Sequence, residues 1–186
     1  ALANRFIHVD FEVDLEDWRR WAVRAGVEPM VIGFVSVRPE LLNKQDRHAR
    51  AFPTPRSWEM VSDALGALGG LDQAKDLLPG VVGEGAAIEF IGFAKAALGE
   101  KDLQRIVDDP KNAALPEELE SLYVLCSYLM ARARDKKVRA AIGALITRLP
   151  VELSVMMVRN LAETHPKVLA QPGVAAFLGQ HKQVLA

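Results

Sequence analysis

The sequence predicts an all-α protein with one orphan strand at its N-terminal end, and three observations carry that prediction. Apolar residues recur every three or four positions through one segment after another, the spacing of helices with a buried face. Prolines 29, 55, 116 and 150 stand where such segments open, and Gly26 and the Gly69-Gly70 pair stand where they close. Only Phe6-Ile7-His8-Val9-Asp10-Phe11-Glu12-Val13 alternates apolar and polar residues with period two, the mark of a half-buried strand.

In chain order, that strand comes first and has no second strand to pair with, so it must add to an absent sheet, lie as an extended arm or move. The conflict favours a piece cut from a longer chain or a processed product. Asp14 is placed to cap a helix from Leu15 that carries Trp18, Ala22 and Ala25 on one side and a Glu16–Arg20 pair on the other, with Gly26 as its stop. Pro29 opens a second helix through Val31, Ile32, Phe34 and Val35, ended by Pro39. Residues 43–50 form a charged connection with Lys44, Arg47, His48 and Arg50. Thr54 then caps a helix with Pro55 in its first position, Arg56 and Ser57 in an exposed first turn, and Trp58, Val61, Leu65 and Leu68 as its buried stripe.

Gly69-Gly70 is the best candidate boundary between packing units. Beyond it the spacing predicts a short helix at 71–78, another at 84–98 weakened by its glycines, and one at 102–108. The longest helix is expected from Pro116 to Arg134, followed by helices at 138–149 and 150–163 and short closing segments near 166–169 and 174–178.

The composition is that of an ordinary globular protein. The 186 residues are 50% hydrophobic and 25% charged, with a formal net charge of −1. That balance supplies no field to attract nucleic acid or an anionic membrane. No apolar run reaches the roughly 20 residues of a membrane span. Cys126, the one cysteine, sits among Leu122, Leu125 and Leu129 and reads as a small core residue, with a reducing, cytoplasmic setting as the default.

Catalytic machinery is sparse. Histidines 8, 48, 165 and 181 are scattered, no acidic pair stands out, and the glycines at 83, 85 and 92 have neither the spacing nor the following lysine of a phosphate loop. No metal-ligand spacing occurs. Arg56 is the exception to this blandness. A cation at the positive end of a helix is electrostatically out of place unless an anion meets it there.

Two short segments give that arginine a context. Leu2-Ala3-Asn4-Arg5-Phe6 and Thr54-Pro55-Arg56-Ser57-Trp58 resemble the end of the ATPase core and the sensor 2 motif of MoxR-like AAA+ ATPases. The resemblance implies that residues 1–13 end a truncated core, 14–70 form the helical lid and 71–186 a helical C-terminal extension. It implies that Arg5 is an arginine finger acting on ATP of a neighbouring subunit, and that Arg56 approaches the phosphates bound to its own subunit. ATP and Mg²⁺ would be cofactors of the intact parent, an ATPase working as a homo-oligomeric ring on a protein client. The fragment itself is expected to be inactive and to hold neither tightly, because the phosphate loop and the magnesium-binding acids would lie in an upstream core. No nucleic acid or membrane partner is expected. A stand-alone helical scaffold or adaptor is the alternative, and an enzyme built on His8 or His48 is the weakest reading, since neither has an orienting partner.

Overall fold

A computed structural model describes residues 7, 12–46 and 48–181. Eleven helices follow one another among these residues: α1 (Leu15–Ala25), α2 (Pro29–Val37), α3 (Pro55–Leu68), α4 (Leu71–Ala74), α5 (Pro79–Val82), α6 (Glu84–Ala96), α7 (Glu100–Asp108), α8 (Leu119–Ala131), α9 (Lys136–Leu145), α10 (Val151–Thr164) and α11 (Pro172–Gln180). Short 3-10 turns lie at Pro39–Leu41 and Pro166–Ala170.

The expected orphan strand at 6–13 is corrected. Among the described residues there is no strand, and Ile7, Glu12 and Val13 adopt no regular structure. The apolar phase that should have been half-buried is open where it is described, with Ile7 93% and Val13 44% exposed. The physical reason is the one the alternation cannot show: a strand needs a partner backbone, and no second strand among the described residues offers one. Phe6, His8, Val9, Asp10 and Phe11 lie outside the described residues.

The helix ends follow local chemistry. Asp14 accepts a hydrogen bond from the Asp17 N–H at 2.8 Å, and Gly26 closes α1 with its N–H on the Ala22 carbonyl. The surface pairing on α1 differs from the expected Glu16–Arg20. Arg20 turns to Asp17 and to Glu163 of α10, while Glu16 pairs with Arg19. Arg19 is buried beneath α10, where it also donates to the Met156 sulfur at 2.7 Å and leaves its Nε without a partner. Burial accordingly holds its proton affinity below the ordinary guanidinium range.

The centre of the molecule is the packing of α2 against α8, with α1, α6 and α10 around them. Gly33 is what allows the two helices to meet. A Cβ at this position would lie 2.9 Å from a Val124 methyl and 3.2 Å from the Val124 Cα, closer than side chains tolerate. Around the α2 end of this contact Phe34, Trp58, Phe90 and Phe93 form an aromatic cluster with centroid separations of 5.2–5.7 Å and tilted or edge-on rings. One connected hydrophobic core runs from Trp18 to Phe177, on both sides of Gly69-Gly70.

Several boundaries move, among them the end of the helix expected at 71–78, which stops at Ala74. The helix expected from Pro116 starts only at Leu119 and ends at Ala131, so α3 and α10, each 14 residues, are longer than the 13-residue α8. Residues 136–145 form α9 alone, and the chain turns through Ile146–Leu149 before α10.

Candidate functional site

The start of α3 is built by an interlocked cap. Thr54 Oγ1 accepts from the Ser57 N–H at 3.0 Å, and Ser57 Oγ accepts in return from the Thr54 N–H at 2.7 Å. The Ser57 hydroxyl also reaches back to the Phe52 carbonyl at 3.2 Å, which ties the entering loop to the helix. Ser57 is therefore buried, a correction to its expected exposure in the first turn. Its side chain is consumed by the cap and faces the loop rather than solvent.

The loop before the cap is fixed from two further directions. The Lys44 N–H donates to the Pro53 carbonyl at 2.9 Å. Gly83, at φ 82°, approaches the Ala51 carbonyl so closely that a Cβ would lie 2.7 Å from that oxygen. No other residue fits both this left-handed backbone and this gap. Behind the cap, Trp58 is 0% exposed and its indole N–H donates to the Leu41 carbonyl at 2.6 Å. Val61 and Leu65 continue the buried stripe, whereas Leu68 is 42% exposed, a departure from expectation because the helix runs past the edge of the core there.

Against this rigid backing Arg56 is exposed, and its side chain forms no ion pair or hydrogen bond with the described residues. The first turn of α3 contains no acidic residue. Pro55 has no N–H, the Ser57 N–H is taken by Thr54 Oγ1, and the Trp58 N–H by the Thr54 carbonyl. One residue thus presents both a guanidinium and an uncapped backbone N–H at the positive end of a 14-residue helix. Chemically this is half of an anion site, and phosphate is the anion that helix N-termini and arginine suit best.

Arg5 lies outside the described residues, as does His8, so the structure places neither relative to Arg56. His48 sits in the exposed loop with its backbone N–H on Asp46. His165 is half-buried beside Thr164, and His181 lies against the Phe177 ring at 4.5 Å. Cys126 is fully buried, and burial pushes its thiol up to about 12, which leaves it protonated and inert. No group of three or more histidine, cysteine, aspartate or glutamate side chains suited to a metal occurs among the described residues. No helix among them is long and apolar enough to cross a membrane.

Sequence reading missed two features. The burial of Arg19 depends on α10, far along the chain, and carried no local signal. The basic run Arg132-Ala133-Arg134-Asp135-Lys136-Lys137-Val138-Arg139 was visible in the sequence as charge density, and only folding brings three of its cations, Arg132, Arg134 and Lys137, to the wall of a cavity.

Comparison with known protein families, with curated proteins and with solved structures finds no match to this chain.

Proposed function

We propose that residues 14–70 are the lid and residues 71–186 the C-terminal helical extension of a MoxR-like AAA+ ATPase, in which Arg56 serves as the sensor 2 arginine. The single observation that supports this most strongly is the state of Arg56. It is held at the N-terminus of a doubly capped, well-anchored helix, yet has no intramolecular partner among the described residues. A surface arginine of no consequence needs neither the fixed cap nor the unfavourable end of the dipole.

In this reading ATP supplies the phosphoanhydride bond whose hydrolysis drives the machine. Arg56 orients the phosphates through charge and through its free N–H. Trp58 and the Thr54–Ser57 cap hold the backbone from which Arg56 projects at a fixed position in the lid. Arg5 acts across the subunit boundary as the arginine finger of a homo-oligomeric ring that remodels or assembles a protein client. The residues here fit the phosphates only, and the ligands of Mg²⁺ belong to the upstream core together with the phosphate loop.

The upstream coding sequence is expected to contain G-x-x-x-x-G-K-[ST] after a strand, and a start codon directly before Ala1 would sink the proposal. In the intact ring, R56A should lower ATP turnover by about 10²-fold, the order for removing one charge-stabilising donor, with no change in melting temperature. Normal turnover in R56A would remove Arg56 from the mechanism.

A further inference from the structure

The cavity between the end of α8 and the start of α9 has a volume of about 310 Å³ and is lined by Gln104, Tyr128, Arg132, Arg134, Asp135 and Lys137. Five of the eight residues from Arg132 to Arg139 are cationic and one is acidic. Lys136 and Lys137 occupy the first turn of α9, where the helix dipole opposes positive charge. Asp135 relieves part of this by capping the helix, accepting from the Lys137 N–H at 2.6 Å and the Val138 N–H at 3.2 Å.

The neighbouring carboxylates account for only part of the charge. Glu100 sits on Arg132 at 2.9 Å and Asp108 on Lys137 at 2.7 Å. These pairs show that carboxylates fit the rim of this cavity. Among the described residues, Arg134 and Lys136 have no carboxylate partner, and Arg139 is bonded only to the Ala133 and Arg134 carbonyls. The local potential is felt by His165, which burial first, and then the charges of Arg134 and Arg139, hold below its ordinary proton affinity.

We propose that this cavity and the adjoining first turn of α9 form a docking site for an acidic segment of a partner protein, with carboxylates seated on Arg134 in the cavity and on Lys136, which stands between its lining residues Asp135 and Lys137, beside the Arg132–Glu100 and Lys137–Asp108 pairs. A long polyphosphate backbone fits less well. Glu100, Asp108 and Asp135 interrupt the basic surface, and the chain as a whole has a net charge of −1. Base stacking has no platform either, because the Arg132 guanidinium already covers the Tyr128 ring at 4.4 Å. The Tyr128 hydroxyl accepts from Arg132 at 2.8 Å and donates to Gln104 at 3.1 Å, which fixes the floor of the cavity before a ligand arrives. The site is independent of the ATPase reading, since it involves neither Arg56 nor a nucleotide.

Fluorescence anisotropy of a fluorescein-labelled oligoglutamate peptide titrated with the full chain tests this. Saturable binding should weaken with added salt and fall about tenfold or more in R134E/K136E, the scale of losing interface charges. R134Q/K136Q should show a smaller loss, with circular dichroism and melting unchanged in both variants. K95E, a charge reversal on α6, should bind as wild type. Absence of saturable binding overturns the proposal, as does an equal loss in K95E. Tighter binding of a labelled oligonucleotide than of the peptide overturns the assignment to an acidic protein segment.

Discussion

Arg56 and Trp58 are two residues apart and have opposite jobs. The arginine is exposed and unpaired among the described residues, whereas the indole is fully enclosed between Phe34 and Phe90 with its N–H satisfied by Leu41. Replacing Trp58 by alanine removes the ring and leaves a cavity and an unpaired carbonyl. W58A should therefore lower the unfolding free energy by about 3–5 kcal/mol, and R56A by no more than about 0.5 kcal/mol. Urea denaturation of both variants checks this. A loss from R56A comparable to that from W58A would make the arginine structural. Both positions were legible in the sequence because a cap and an i, i+3, i+4 stripe are local patterns. The burial of Ser57 was not, because a serine at the third helical position reads as polar until its bond to the Phe52 carbonyl is seen.

At the scale of elements, glycines of similar appearance in the sequence have different work. Gly33 in α2 is pressed against Val124 of α8, and G33V should lower stability by about 1–3 kcal/mol or more through overpacking at that crossing. Gly92, inside α6, has open space around the position of a Cβ. G92A should raise stability by about 0.5–1 kcal/mol, because alanine restricts the unfolded chain and favours the helix. Thermal melts of the two variants should move in opposite directions; a destabilised G92A would mean that α6 needs glycine for a reason other than packing. The late start of α8 belongs to the same scale. Pro116 fits a first helical turn in isolation, yet no side chain caps a start there or at Leu119, so tertiary packing sets the boundary.

Over the whole molecule, the strongest packing joins α2, which precedes Gly69-Gly70, to α8, which follows it. Each covers the apolar surface of the other, so neither half has a complete core alone. Unfolding should be one cooperative transition, with tryptophan fluorescence and far-ultraviolet circular dichroism giving the same midpoint. Two separated transitions would show that the segments on either side of the glycine pair are stable independently.

The sequence by itself determined the helical class, the capped openings at Asp14 and Thr54, the stops at Gly26 and Gly69, and the odd placement of Arg56. All of these rest on interactions within about one helical turn, where spacing and residue type leave few alternatives. Tertiary structure alone decided that residues 6–13, where described, form no strand, that Arg19 is buried under α10, that α2 and α8 touch at Gly33, and that Arg132, Arg134 and Lys137 line one cavity. Each of those depends on what a distant segment brings to the same place. Periodicity records which face of an element is apolar, and carries no information about the partner that will cover it.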